Sequence, residues 1–293
     1  MSPELRAIRL ALATSIVGAI VKFAAGGITG SMTLLSSAVD SFGDFVVSLM
    51  NLFVLKVAAQ GPDAEHNYGH AKAEGLGAVF EGGFICSSGG YLIYESIHRA
   101  FRGERMSQSM IGIAVMIPLT ALTAVTVLVL RRTAQKTGSL VIKADAAHYA
   151  TDVVTNLGVL LALVLVHLTG LSWLDLAISV GLALYMIYSG LHVLRDGVDL
   201  VMDHSLPPDA TERVRGVLRN CKRILSFHDL RTRAGRTPIV DVHIVVPGDT
   251  PAKEVHEVFD ELQAGLRGAV GPETKLVLHA DPAERQSPHL PAS

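Results

Sequence analysis

Cysteine is almost absent from this sequence of 293 residues, which contains only Cys86 and Cys221. Two cysteines, one in each part of the chain, exclude a disulfide framework and a cysteine-rich zinc site. The formal net charge is also small, at -2 with neutral histidines. It gives no reason to expect a nucleic-acid-binding surface.

Charged residues are scarce in the first 205 residues. Of the 52 Asp, Glu, Lys and Arg residues, 24 fall in the 88 residues from Leu206 onward, which leaves 28 for the part before it. A soluble segment of that length usually carries about 50. The mean hydropathy of +0.40 points the same way. We therefore predict an α-helical membrane domain over residues 1–204, a water-soluble domain over 205–284 and a disordered tail over 285–293.

Six segments reach the roughly 20 apolar residues that a membrane-spanning helix requires. The clearest is Met110–Leu130, which contains no charged residue. Nine Lys and Arg residues flank the spans on the side of the N-terminus and three lie in the opposite loops, so the positive-inside rule predicts that both termini are cytoplasmic. The predicted spans are residues 8–30, 34–58, 75–98, 110–130, 145–168 and 173–194.

The polar segment after the spans predicts a compact α/β unit. Residues 239–246 are rich in β-branched side chains, which is typical of a strand. Thr250 and Pro251 form an N-cap followed by proline at the first helical position. Together the patterns favour a small open sheet with helices on one face. The predicted elements are a helix over 209–224, strands over 228–233 and 239–246, a helix over 251–267 and a strand over 275–279.

Two pairs of ionisable residues lie within predicted spans. Asp40 and Asp44 are four residues apart and share one face of the second span, and His148 and Asp152 repeat this spacing on the fifth. If the faces meet, three carboxylates and one imidazole form a four-coordinate site for a divalent cation such as Zn²⁺. Protons compete for the same ligand atoms. The alternative is that these residues have a purely structural role, as helix caps or snorkelling contacts. Two pairs with the same spacing make this alternative the weaker interpretation.

Other polar residues have less specific interpretations. Glu81 on the third span is a candidate for the lining of a water-filled path, and Lys22 on the first is expected to snorkel or to pair with a neighbour. In the loop after the second span, Asp63, His66 and His70 have a spacing that suits one further metal ion, with plain solvated polarity as the alternative. The scattered histidines of the polar domain do not by themselves indicate a site.

Four motifs occur in order along the chain: Ala38–Asp44, His66–Glu74, Asp145–Asp152 and His228–Arg233. In this combination the sequence resembles the cation diffusion facilitators, a family of proton-coupled exporters of zinc, cadmium, iron and manganese. The resemblance extends from Ile8 to about Pro282 and is closest to the bacterial ferrous-iron and zinc efflux members. The first motif departs slightly from the family pattern, because Gly43 lies between the aspartates and is expected to loosen the helix locally.

This resemblance implies six transmembrane helices, a homodimer, a location in the inner membrane of the cell and a metallochaperone-like α+β cytoplasmic domain. Lys72 and Asp203 match a salt-bridge interlock at the membrane–cytoplasm junction of the family's dimer. The family's transport site falls on Asp40, Asp44, His148 and Asp152, and its loop site on Asp63, His66 and His70. Its binuclear cytoplasmic site falls on His228, His243, His256, His279 and Asp281.

The expected function is proton-coupled export of divalent metal, with zinc as the best match and cadmium, ferrous iron and manganese as further ions. The expected partners are metal ions, protons, membrane lipid and a second copy of the chain, with no cofactor and no nucleic acid. A membrane metal sensor that binds metal without moving it is the alternative. No enzyme is expected, because a membrane metalloprotease would need the pattern His-Glu-x-x-His, which does not occur.

Overall fold

The computed structural model describes residues 2–30, 32–102, 110–171 and 173–283. The chain divides into two compact units after Val201. The tail predicted over residues 285–293 lies outside the described residues.

The first unit consists of long helices. Over the described residues, six of them are long and apolar enough to cross a membrane, which confirms the predicted number of spans. Their bounds are α1 Pro3–Thr29, α2 Met32–Ala58, α3 Ala73–Arg102, α4 Met110–Thr137, α5 Leu140–Thr169 and α6 Trp173–Val201.

Several helices begin earlier than their apolar runs predict. Helix α1 starts at Pro3 and not at residue 8, because the Ser2 side chain accepts a hydrogen bond from the Leu5 backbone and proline occupies the first turn. Helix α5 starts at Leu140 and not at residue 145, with the Ser139 side chain as its N-cap. Capping groups set these boundaries, whereas hydropathy only marks the part that suits lipid.

Helices α3 and α6 pack along each other at very short range. A Cβ atom added to Gly82 would lie 2.5 Å from the backbone nitrogen of Leu194, and one added to Gly190 would lie 2.8 Å from the Gly82 carbonyl oxygen. Small residues allow two membrane helices to approach in this way. The close contact fixes the face of α3 that turns toward α2 and α5.

The second unit is a three-stranded sheet with two helices. Strand β1 pairs antiparallel with β2, and β2 pairs parallel with β3, in the order β1-β2-β3. The predicted order of helices and strands is confirmed, although the first helix ends at Asn220 and not at residue 224, because Cys221 has an extended backbone and is buried. The bounds are α7 Pro208–Asn220, β1 Ser226–Arg233, β2 Ile239–Val246, α8 Ala252–Val270 and β3 Lys275–Pro282.

The two faces of the sheet differ in composition. Val240, Val242 and Ile244 on β2 are fully buried in one apolar core with residues of α7 and α8. The alternate residues Asp241 and His243 are only partly buried. Because side chains alternate along a strand, the face opposite the helices is the polar one.

Candidate metal centres

Three groups of histidine and carboxylate side chains occur among the described residues. Within each group, one ligand atom from every side chain lies within 4.8 Å of the others. The groups are Asp44, His148 and Asp152; Asp63, His66 and His70; and His228, His243 and Asp281. We call them the membrane cluster, the loop cluster and the sheet cluster.

The membrane cluster joins α2 and α5 around one imidazole ring. The Nε2 atom of His148 lies 3.1 Å from Oδ1 of Asp44 and 3.7 Å from Oδ2 of Asp152. The His148 side chain is 5% exposed, while those of Asp44 and Asp152 are 20% and 28% exposed. Carboxylates this close together within a membrane helix bundle are costly without a positive partner. The cluster therefore suits a cation in chemistry and in geometry.

Asp40 lies one helical turn from Asp44, outside the three-residue membrane cluster. It is an exposed residue on α2. Beside it, Lys22 on α1 donates hydrogen bonds to the Ser41 hydroxyl at 2.8 Å and to the Ser37 carbonyl oxygen at 3.3 Å. Lys22 thus pairs with neighbouring helix groups, as one of the two sequence interpretations proposed. Only three of the four predicted membrane ligands converge in this arrangement.

A buried polar network lies behind His148, and the sequence did not indicate it. Glu81 on α3 and Asp145 on α5 are both 0% exposed. The Asn51 amide nitrogen on α2 donates to Glu81 at 3.0 Å and to Asp145 at 3.2 Å. Glu81 is therefore packed against other side chains of the helix bundle, and the interpretation that it lines a water-filled path is not what the structure shows. In the sequence, the one sign of this buried role was the position of Glu81 within an apolar span.

Aromatic packing holds the ring of His148 from the side of α3. The Phe84 ring stacks on it with centroids 5.5 Å apart and an angle of 14° between planes. A Cβ atom at Gly43 would lie 3.4 Å from the tip of the Phe84 ring. Helix α2 is continuous through Gly43. The small residue between Asp40 and Asp44 thus provides room for Phe84, and the loosening expected at this position is not seen as a break.

The loop cluster is built around Asp63 between α2 and α3. Its carboxylate accepts hydrogen bonds from the backbone nitrogens of His66 at 2.6 Å and Glu65 at 2.9 Å. The His66 N–H group is the main reason why the pKa of Asp63 is lowered from its ordinary value of 3.8. The Nε2 atom of His70 lies 3.4 Å from the second carboxylate oxygen. One carboxylate oxygen of Asp63 therefore accepts hydrogen bonds from the backbone of the turn, and the other faces the His70 imidazole.

The sheet cluster lies on the polar face of the three strands. His243 is paired in register with His228 on one side and with His279 on the other, so three histidines from distant parts of the sequence form one row. The Asp281 carboxylate lies 3.0 Å from Nδ1 of His243 and 3.4 Å from Nε2 of His228. The His279 ring stacks on His243 with centroids 4.5 Å apart.

His256, the last predicted ligand of the polar domain, lies on α8, apart from that row. Its side chain is 76% exposed, and its Nε2 atom is 4.0 Å from an Asp260 carboxylate oxygen. It does not belong to any of the three clusters found among the described residues. In a single copy of the chain, the predicted five-residue set therefore comes together only in part.

The two residues of the predicted interlock have partners within their own units. The Lys72 ammonium donates to the Val201 carbonyl oxygen at 3.2 Å. Asp203 has a left-handed backbone with φ of 58° and lies 3.4 Å from the Arg233 guanidinium. The interlock itself stays a prediction.

Two family models match the two units of the chain. The family model for the cation efflux transmembrane domain matches residues 8–202, and the model for the cytoplasmic domain of cation efflux proteins matches residues 206–283. The cation-efflux pump FieF of Shewanella oneidensis is 31% identical over 278 residues, which cover 94% of this chain and 93% of that protein. FieF of Pectobacterium atrosepticum is 32% identical over 273 residues, with 93% and 90% covered. A solved structure of CzrB in its zinc form is 39% identical, has a TM-score of 0.27, and covers 29% of this chain and 99% of that chain.

Proposed function

The chain belongs to the cation diffusion facilitator family, and on that premise we propose that it is a proton-coupled antiporter that exports Zn²⁺ from the cytoplasm. It is a multi-pass membrane protein with a cytoplasmic C-terminal domain, a cation efflux transporter and not an enzyme. The ion, the coupling to protons and the site residues are the parts proposed here. Cd²⁺, Fe²⁺ and Mn²⁺ are further candidate ions.

The single observation that carries this proposal is the convergence of the membrane cluster. Asp44 comes from α2, whereas His148 and Asp152 come from α5, and their ligand atoms lie within 4.8 Å of each other. An ion held between two helices is bound only while both helices keep that arrangement. A change in the relative position of α2 and α5 would therefore open the site, which is what alternating access requires.

We assign Asp44, His148 and Asp152 as ligands of the transported ion and Asp40 as the fourth ligand, which approaches when the ion is bound. A mixed set of imidazole and carboxylate groups suits Zn²⁺ or Cd²⁺ better than the all-oxygen sets that Mn²⁺ favours. The carboxylate groups must be ionised and His148 neutral for binding.

Coupling to protons follows from the chemistry of these ligands. The lone pairs that bind the ion are the same ones that accept protons, so a proton entering the cluster from outside weakens the hold on the ion. The protonated cluster then returns to the cytoplasmic side and releases its protons. Each cycle moves a cation out and protons in.

The cytoplasmic side supplies two further groups. We propose that the loop cluster of Asp63, His66 and His70 binds a cation near the inner ends of α2 and α3. The sheet cluster, together with His279 and with His256, is proposed as a structural metal site that helps to hold a homodimer. The proposed domain limits are residues 1–204 for the membrane domain and 205–284 for the cytoplasmic domain, in the inner membrane with both termini cytoplasmic, and Lys72 and Asp203 are proposed to form the dimer interlock.

The test is metal transport in proteoliposomes that carry a pH gradient. Wild-type protein is expected to move Zn²⁺ and to dissipate the pH gradient as it does so. Asp152→Ala should remove transport, because it takes one carboxylate from the membrane cluster and leaves the helices intact. Asp199→Ala is the matched control, since the Asp199 carboxylate on α6 lies 3.9 Å from the exposed Arg195 guanidinium and a surface ion pair contributes little.

The result separates transport from sensing. Metal binding without any flux in the wild type would favour a membrane sensor. Normal flux in Asp152→Ala would contradict the assignment of the ligands. A comparison of Zn²⁺, Cd²⁺, Fe²⁺ and Mn²⁺ in the same vesicles identifies the ion.

A further inference from the structure

Two buried atoms face each other without any hydrogen-bond partner in the described residues. They are Nδ1 of His148 and Oε1 of Glu81, each without contact with solvent. The distance between them is 3.6 Å. A buried polar atom left unpaired usually costs about 1–3 kcal/mol, so an arrangement that aims one such atom at another calls for an explanation.

The two nitrogens of the His148 ring face different helices. Nε2 faces Asp44 at 3.1 Å, whereas Nδ1 faces Glu81 on α3. Only a neutral imidazole binds a metal ion, and it does so through the nitrogen that carries no proton. The ring must therefore carry its proton on Nδ1 for Nε2 to serve as the ligand.

We propose that Glu81 is a positioning residue of the transport site, which accepts a hydrogen bond from the Nδ1–H group of His148 and so keeps Nε2 free for the ion. This inference rests on the proposed function, since it assigns a role relative to the transported ion. A shift of a few tenths of an ångström closes the 3.6 Å gap to an ordinary hydrogen bond. Glu81 itself stays outside the ligand set, because it lies at the other edge of the ring.

Glu81 is held in place for this role by its second oxygen. Oε2 accepts from the Asn51 amide nitrogen at 3.0 Å, and the same nitrogen donates to Asp145 at 3.2 Å. The Ser48 hydroxyl extends the network, with Asp145 at 3.5 Å and the Tyr149 hydroxyl at 3.0 Å. Oε1 is the oxygen that remains available, and it is the one that faces the imidazole.

The backbone of α3 is fixed at the same point. Gly82, the next residue along the chain, packs directly against α6. Phe84, three residues on from Glu81, stacks on the face of the His148 ring. One turn of α3 therefore sets the plane of the imidazole through Phe84 and its edge through Glu81.

The test uses two substitutions of Glu81 and one matched control. Glu81→Leu removes the hydrogen-bond acceptor and keeps a side chain of similar size. Glu81→Gln keeps one acceptor, an amide oxygen, which accepts more weakly than a carboxylate oxygen. Glu95→Leu is the control, because Glu95 lies on the same helix and pairs with the partly exposed Arg99 at 2.8 Å. All three are made in full-length protein that also carries Asp63→Ala and His243→Ala, so that the loop and sheet clusters do not contribute to binding.

The first measurement is Cd²⁺ affinity of the protein in nanodiscs. Loss of the group that orients a metal-binding histidine typically lowers affinity about 10- to 100-fold. We expect a loss of about that size in Glu81→Leu, a smaller loss in Glu81→Gln and none in Glu95→Leu. Wild-type affinity in Glu81→Leu, or the same loss in Glu95→Leu, would overturn the proposal.

The second measurement is ¹⁵N NMR of the imidazole in the Cd²⁺-bound protein, with the His148 signals identified by their loss in His148→Gln. In the wild type, Nε2 should be the metal-bound nitrogen, and Nδ1 should carry a proton that is hydrogen-bonded to Glu81. Glu81→Leu should lose the signal of a hydrogen-bonded Nδ1–H group, and an unchanged Nδ1 signal in this variant would overturn the proposal. If Glu81→Leu yields no folded protein, Glu81→Gln decides: a Cd²⁺ affinity equal to that of the wild type would overturn it.

These outcomes are separable from failure of the proposed transport. If Cd²⁺ affinity and the Nδ1 signal depend on Glu81 but the wild type moves no metal, transport would be refuted and the positioning role supported. Normal transport in the wild type with unaltered binding in Glu81→Leu would refute the positioning role alone.

Discussion

Oε2 of Glu74 on α3 lies 2.7 Å from the backbone nitrogen of Leu140, the first residue of α5. The same oxygen accepts a hydrogen bond from the Ser139 hydroxyl at 2.8 Å, and Glu74 is 3% exposed. The first N–H groups of a helix lack partners within the helix, and a carboxylate there also suits the positive end of the helix dipole. Helix α3 thus sets where α5, the helix of His148 and Asp152, begins.

Replacing Glu74 by Ala should destabilise the membrane domain by about 1–3 kcal/mol, because it leaves buried N–H groups of α5 unpaired. The measurement is the thermal unfolding midpoint in nanodiscs. Glu95→Ala on the same helix is the control and should change it much less, since its partner Arg99 is partly exposed. Equal midpoints for the wild type and Glu74→Ala would contradict this role.

The close approach of α3 and α6 leads to a second prediction. In Gly82→Ala the new methyl group would lie 2.5 Å from the Leu194 backbone nitrogen, so the helices must separate. Overpacking of this kind typically costs about 1–3 kcal/mol. Transport should also fall, because the shift carries Glu81 and Phe84 away from His148. At Gly83 an added Cβ would meet nothing within 4 Å, so Gly83→Ala should match the wild type in unfolding and in flux.

The paired membrane residues were predictable because two residues four apart share a helix face whatever the tertiary structure. The meeting of Asp44 with His148 needed more, namely the rotation of α2 against α5. The network of Asn51, Glu81 and Asp145 depends on three helices at once, so no spacing along the chain marks it.

For a similar reason, the three histidines in a row across the sheet could be grouped from the sequence only through the family resemblance, and not from their spacing. His228, His243 and His279 become neighbours only through strand register, and a shift of one residue would send one of them to the opposite face. The strand and helix types of this unit were predictable from alternation and caps. Its pairing pattern was not.

The geometry predicts unequal roles for the two aspartates of α2, because Asp44 belongs to the membrane cluster and Asp40 lies outside it. Asp44 lies 3.1 Å from His148, whereas Asp40 is exposed one turn away. Asp44→Ala should therefore weaken Cd²⁺ binding more than Asp40→Ala, in protein whose loop and sheet clusters have been removed. Equal losses, measured as equilibrium affinities, would show that Asp40 reaches the ion as fully as Asp44 does.

Metal-dependent association should depend on the sheet cluster. Zn²⁺ is expected to increase dimer formation of the full-length protein in detergent, and His243→Ala should remove this dependence because His243 lies at the centre of the row. His204→Ala is the control, since the His204 ring is exposed and its bond within the described part of the chain is to the backbone carbonyl oxygen of Ser205 at 2.9 Å. Light scattering with and without Zn²⁺ measures the effect, and equal association of wild type and His243→Ala in Zn²⁺ would count against it.

The loop cluster makes a prediction about pH. The backbone N–H of His66 donates to Asp63 and lowers the pKa of its carboxyl group below 3.8. Because the folded value is the lower one, the turn's stabilisation is fully present above pH 3.8 and is lost as pH falls through the folded pKa. At cytoplasmic pH the carboxylate is thus ionised and can bind a cation.

A ¹³C titration of the Asp63 carboxyl group in ion-free protein, assigned with Asp63→Asn, should give a midpoint below 3.8. His66→Pro removes the N–H and should raise that midpoint, whereas His66→Ala keeps the N–H and should retain most of the lowering. The same midpoint in the proline and alanine variants would mean that the imidazole, and not the backbone, controls this carboxylate.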